Sequence, residues 1–490
     1  MDKTKFHMFM VATIIVLIVG FYILLSPPFK EIRVIIGLPA DQPGARYNET
    51  VGAADIINGV SFDYNTGQLV YTQDGWESAS VYLGRIAFVY HSVFITLMYA
   101  TVILLAHLYL GEKDREIVMD GALIATLLVV VSALLYNYID VRNFFWHGTF
   151  LVGLGLFWFI GAYMFHKFKP KTLLEWNIWL SGLLLLLGAA WGAWLGASYM
   201  FFRESFLEAL IISRFNPDIS EENIYWRALT SHEHAMIAIV LALVFFVAMR
   251  VAGVEEEKKL FNFLSVKLLY IFAIIGQFFM AIAAYAVTFF GKVAHLIITP
   301  AALLLILATL LLSLVVKKGI LKWSLLIGNI VMWAGVAAEG AITAMNLRKA
   351  LFLLPIPFRD PLYDWAELAY NIGHWHILMF SWGIILLIIY LVYPVDFTEE
   401  YKFITWIIWI TLIGYFVASI GVNFYMLANP PAEYTPNPYN NIWLTFLVEP
   451  FLGLVSLGVA VAYLLYLYKY GLDALKHIIN SVANYFKDLF

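Results

Sequence analysis

Cysteine is absent from all 490 residues. That excludes disulfides, thiolate metal sites and iron–sulfur clusters, and with them the CxxCH attachment motif of a c-type heme. It also removes thiols as a guide to redox compartment. Charge is scarce: 13% of residues are Asp, Glu, Lys or Arg, and the net charge is −4. An isoelectric point near 6.3 gives nucleic acid no basic surface to bind. There is no internal repeat and no low-complexity segment. What fills the chain instead is apolar: 62% hydrophobic and 17% aromatic residues. Runs of about 20 apolar residues recur along the whole length, the length a bilayer-crossing helix needs.

The pattern predicts an all-α polytopic membrane protein forming a single transmembrane domain over 1–490. About twelve spans are expected, at 7–25, 86–110, 118–138, 143–166, 175–201, 229–252, 262–290, 292–316, 320–346, 366–393, 403–428 and 441–468. The first run, HMFMVATIIVLIVGFYILL, is longer than a signal-peptide core and lacks a small-residue cleavage site, so it reads as a retained anchor. Spans seven and eight are parted only by FFGKV. The loops containing HKFKPK, VEEEKK and VKKGILK, together with both termini, are richer in Lys and Arg than the opposite set. The positive-inside rule then puts both termini in the cytoplasm. The long outer segment 26–85, with turn residues in SPPF, ADQPGARYNET and TQDG, reads as an extracytoplasmic cap, and its NET triplet makes Asn48 a glycosylation acceptor by pattern.

With that topology every even-numbered span starts on the outer side. His91, His147, His232, His234, His295, His374 and His376, seven of the eleven histidines, then lie near those starts. His7, His166 and His477 fall near the cytoplasmic surface, and His107 at the inner end of span two. One intramembrane histidine is ordinarily an interhelical hydrogen bond. A layer of them from five helices is the donor set of b-type heme, copper or iron. In NIGHWHILMF the helical repeat of about 100° per residue points His374 and His376 to nearly opposite sides, so they serve different neighbours. Glu339 in GVAAEGAITAMN and Glu233 in SHEHAM are acids in apolar surroundings, suited either to proton transfer or to helix–helix hydrogen bonding. Glu449 is similar. Lys267 reads as a snorkelling residue or as a proton-path group on the cytoplasmic side.

Three stretches carry a family resemblance. GRIAFVYHSVF at 84–94, GVAAEGAITAMN at 335–346 and IGHWHILMFSWG at 372–383 resemble the second, ninth and tenth helices of heme–copper oxidase subunit I, particularly C-family oxidases and nitric oxide reductases. The resemblance implies that His91 and His376 clamp a low-spin heme b and that His374 is the proximal ligand of a second, high-spin heme. It implies that Glu339 acts in proton transfer, the role that its setting also suggests for Glu233, and that Arg348 and Lys349 pair with propionates or anchor the interface. One departure stands out. The family holds a second metal through a span-six histidine and a His-His pair on span seven. Here span seven has no histidine, and the pair's place falls near Phe279 and Met280. His232, His234 and His295, with Glu233, form the substitute set for copper or non-heme iron. The other reading is an altered or empty second-metal site. His147 matches nothing in the family.

The function so implied is a heme-dependent terminal oxidoreductase of a prokaryotic plasma membrane, surrounded by lipid and part of a hetero-oligomeric respiratory complex. A small cytochrome c, a copper-protein-like subunit or a quinol would feed electrons to the low-spin heme. The high-spin heme would pass them to O₂ or NO. Two alternatives stay open: a heme-b electron-transfer subunit without a complete binuclear site, and a heme-free transporter.

Overall fold

The computed structural model describes residues 3–25, 60–63, 68–71, 73–138, 144–201, 228, 230–261, 264–317, 319–351, 361–428 and 449–489. Inside a bilayer no water competes for backbone N–H and C=O groups, so each apolar run satisfies them within itself as helix. The long helices are α1 (Lys3–Leu25), α2 (Gln73–Tyr109), α3 (Glu112–Tyr138), α4 (Phe144–Lys167), α5 (Leu173–Phe201) and α6 (Ile239–Val251). They continue with α7 (Val266–Phe290), α8 (His295–Leu314), α9 (Gly319–Leu351), α10 (Pro361–Val392), α11 (Phe403–Ala428) and α12 (Glu449–Leu489). Among the described residues, 11 helices are long and apolar enough to cross a membrane, and the described apolar part of α10, Ile377–Val392, is shorter. The chain is therefore an all-α polytopic integral membrane protein, and each expected span has its helix.

The polar approaches to the spans differ from expectation. α2 begins at Gln73, well inside the segment expected to form the cap, because hydropathy registers only the apolar core of a helix and QDGWESASVYLGR is helix beyond it. α12 runs on to Leu489 for the same reason. Before α2, β1 (Val60–Asp63) and β2 (Gln68–Tyr71) pair antiparallel, with Val60 opposite Tyr71 and Asp63 opposite Gln68. Residues 26–59, Asn48 among them, lie outside the described residues.

By contacts the chain forms two compact units, Met1–Lys167 with Val459–Phe490, and Phe168–Gly458. In the first, α1 packs on α2 and α3, and α3 and α4 form an antiparallel pair. Its core holds Tyr99, Ile103, Met119, Ala122 and Val129, all essentially without exposure.

The second unit is organised around α6. Every residue from Ile239 to Met249 is buried, and a helix apolar all round is one that neighbours enclose. The hairpin of α7 and α8 turns through Gly291–Ala294, where Gly291 has φ 56°, a backbone conformation that glycine reaches without Cβ strain. Below the turn the two helices press close at Gly276, where a Cβ would stand 3.0 Å from Leu305 Cβ and 3.1 Å from the Ala301 carbonyl oxygen. Two buried polar knots pin the bundle. Gln277 Nε2 of α7 donates to Asn177 Oδ1 of α5 at 2.9 Å, and Ser181 Oγ donates to Gln277 Oε1 at 2.6 Å. Thr309 of α8 donates to Asn329 Oδ1 of α9 at 2.5 Å, while Asn329 Nδ2 donates to Ser313 Oγ at 3.3 Å and to the Leu325 carbonyl at 2.8 Å. Each group in these knots has a partner, so they cost little in a water-poor interior and set helix register.

Candidate functional site

The short turn after α7 makes His295 the first residue of α8. α6 is led in by a π-helical turn, His234–Ala238, a distortion found disproportionately at functional sites. Together they bring the His234 and His295 rings to 5.3 Å between centroids, edge to face at 88°. Glu233 sits beside them, and its Oε2 is buried with no hydrogen-bond partner among the described residues. His234 Nδ1 lies 2.8 Å from the Thr230 carbonyl oxygen. A carbonyl only accepts, so the neutral ring carries its proton on Nδ1 and its lone pair on Nε2. Metal-ligating histidines are oriented in the same way, by a carbonyl on the opposite nitrogen.

His232 goes elsewhere. Two residues before His234 on a helix, it faces the other side, where its Nδ1 donates to the Gly188 carbonyl of α5 at 3.3 Å. A side chain at Gly192 would collide with its ring. The set of three imidazoles expected to hold copper or non-heme iron thus divides: His234 and His295 meet, and His232 serves the α5 contact. Met280 accounts for the rest. It stands where the resemblance expects a metal ligand, is buried, and lines the space beside the two rings, while Phe279 lies on the exposed face of α7. Among the described residues no group of three or more His, Asp or Glu side chains is placed to hold a metal ion.

The paired rings close one end of a cavity. Its walls are apolar, with Ile237, Leu241 and Phe245 from α6, Leu305 from α8 and Met332 from α9. α8 lines it from His295 to Thr309, about 21 Å at 1.5 Å per residue. At the far end Thr309 and Asn329 belong to the saturated knot described above, and the Glu233 oxygen without a partner among the described residues lies at the opposite end. Leu378 of α10 also lines the cavity, and the helical repeat sets position 374 one turn before it.

The side chains of Glu339, Arg348, Lys349, His374, His376 and Glu449 lie outside the described residues, although their helices are present. In the first unit His91 packs edge to face on Phe150 at 5.8 Å, and His147 on Tyr136 at 5.5 Å. Lys267 forms an exposed ion pair with Glu257 at 2.6 Å, a surface pairing in keeping with snorkelling. Reasoning from sequence passed over a buried polar group in the first unit. His7, Tyr99 and Asp120 are joined by hydrogen bonds, with His107 beside them on Thr4. The available signal was Asp120 entering the apolar run of α3 opposite a histidine in α1.

The fold and site define a class, a polytopic helical membrane protein with a buried histidine–carboxyl cluster heading an apolar cavity. No match is found between this chain and protein-family models, curated proteins or solved structures.

Proposed function

We propose that the protein is a heme-b membrane oxidoreductase that reduces a small oxidant, O₂ or NO, at the cavity end formed by Glu233, His234 and His295. One observation carries this reading: a buried carboxyl oxygen with no partner among the described residues sits beside two imidazoles in edge-to-face contact at the head of an otherwise apolar cavity. Apolar walls with imidazoles at one end would suit a heme's apolar body and its need for nitrogen donors. His374, one turn from the wall residue Leu378, is the proposed ligand of a high-spin heme. His91 and His376 carry over from the sequence resemblance as the proposed low-spin ligands, and Glu339 as a further proton donor.

Bound there, a heme would supply electrons to the oxidant. The chain's own groups do the rest. The apolar walls keep bulk water out and strengthen every electrostatic interaction inside. Glu233 holds a proton at its buried carboxyl and delivers it as negative charge develops on the reduced product. His234 presents Nε2 because Thr230 fixes its tautomer. With His232 turned to α5 and Met280 in the ligand position, the reading includes no second metal. That same geometry favours the related possibility of a heme-b electron-transfer subunit, which would lack an open iron position.

The test is optical. Purified protein should show b-type bands in a reduced-minus-oxidised spectrum, and a CO-induced shift of the reduced form. No b-type bands would remove the proposal and leave a heme-free transporter. Bands without a CO response would assign the electron-transfer role.

A further inference from the structure

Ion pairs at the start of α1 mark where the helices of the first unit, which includes α12 from Val459, leave lipid. Lys3 of α1 pairs with Glu116 of α3 at 3.2 Å, and Lys167 of α4 with Asp114 of α3 at 3.4 Å. Such groups are costly deeper in a bilayer. Lys5 of α1 lies over the Tyr470 ring at 5.8 Å, which sets Tyr470 of α12 level with that belt. Twelve helices crossing in turn run α12 opposite to α1, so the residues after Tyr470 lead out past the belt. α12 continues nonetheless to Leu489, about 28 Å further.

The emerging stretch keeps an apolar stripe. Leu472, Leu475 and Ile479 are 74%, 54% and 56% exposed, whereas Ala474 between them is buried. The alternating steps of three and four residues continue in sequence through Val482, Phe486 and Leu489. That is a period of 3.5, which winds into a left-handed coiled coil when a like helix meets it. Lettered as heptads with Leu472 at position a, every a and d position is apolar, and of the outward b, c and f positions only Ala474 is.

Lipid is a poor cover for this stripe. The helix is unbroken from Glu449 to Leu489, so it leaves the bilayer along its own axis instead of folding onto the surface. Beyond Leu472 its Asp473 and Asp488 offset Lys476 and Lys487, which gives anionic headgroups no net cationic charge to hold. A second copy fits better. Two copies in one membrane send this helix out in the same direction, and the seam is then parallel and in register. Lys476 at position e meets Gly471 of the other copy and Ala483 meets Ile478, so no like charges oppose each other.

We infer that the chain forms a parallel homodimer through a coiled coil of α12 that begins at Leu472, with Leu475 and Ile479 in its seam. The shared membrane raises the effective concentration of the two helices, which lets a seam this short suffice.

The lack of cysteine makes the natural chain a clean background for disulfide mapping in native membranes. Under a mild oxidant, Leu475→Cys and Ile479→Cys should give roughly fivefold or more linked dimer than His477→Cys and Asn484→Cys, which the heptad sets on the opposite face. Light scattering of the full chain in mild detergent should read a dimer. The double variant Leu475→Asp with Ile479→Asp should read a monomer, at unchanged helix content by circular dichroism. Equal linkage at all four positions, or none, would overturn the dimer and leave the stripe to lipid or to a different protein. A dimer that survives the double variant would overturn it as well, since the interface would then lie elsewhere. Neither readout involves heme, so the outcome is independent of the oxidoreductase reading.

Discussion

Gly192→Ala is a severe test of where His232 points. The ring of His232 packs against the Cα of Gly192, and a Cβ there would overlap it. The neighbouring atoms are a half-buried imidazole, whose escape routes are few because Gly188 on the same side of α5 already lies against Met236 and the Ala235 carbonyl. Overpacking of this kind costs about 1–3 kcal/mol, and losing the bond from His232 to the Gly188 carbonyl adds about 1 kcal/mol. The expected destabilisation is then about 2–4 kcal/mol, measured as a loss of unfolding free energy in mixed micelles. His232→Ala alone leaves a cavity and also destabilises. The double variant is the informative one: removing the ring gives the new methyl its space, so the pair should cost less than the sum of the two single changes, with a coupling of about 1–3 kcal/mol. Additive costs would show that His232 does not lie on Gly192. The division of the three histidines would then have to be redrawn, with His232 returned to the cavity.

Four further outcomes follow from the same geometry. Gln277→Leu should destabilise by about 2–4 kcal/mol, because Asn177 Oδ1 and Ser181 Oγ lose their buried partner; a neutral result in denaturant unfolding would refute the knot between α5 and α7. Gly276→Val should force α7 off α8 and lower the melting temperature by several degrees, whereas the same change at the open Gly155 should be nearly silent. If the heme proposal holds, Glu233→Gln should slow oxidant reduction tenfold or more while leaving the reduced-minus-oxidised spectrum in place; an equal loss of bands and rate would make Glu233 a structural group. His374→Ala should remove the CO response and spare the low-spin bands, and His91→Ala should do the reverse, as read by difference spectroscopy.

Much of the fold is legible in the chain because its causes are local. Apolar length sets where helices form, and the described helices fall where those runs are. The FFGKV stretch leaves no room for anything but a tight turn, and Gly291 makes it. The sequence also placed His234 and His295 at one depth, since both open spans that start on the same side. It could not show which of two histidines spaced i, i+2 would meet His295. Helical periodicity guarantees that His232 and His234 diverge, but says nothing of which neighbour each one finds. That choice belongs to the packing of α5 and α8 on either side of α6, where a glycine at 192 opens a slot for one ring and the π-helical turn carries the other toward α8.

The burial of Asp120's partner, His7, was hidden for a similar reason. A histidine near a chain end reads as interfacial until α2 and α3 are seen to close over it. Composition and periodicity alone determined that this is a helical membrane protein, roughly where its helices lie, and which residue types populate each helix. Only the tertiary structure decided that Met280 lines the cavity beside the paired rings, that two imidazoles rather than three converge, and that a carboxyl beside them keeps an oxygen with no partner among the described residues. Depth along a helix is a property of one strand of sequence, whereas convergence depends on several helices at once.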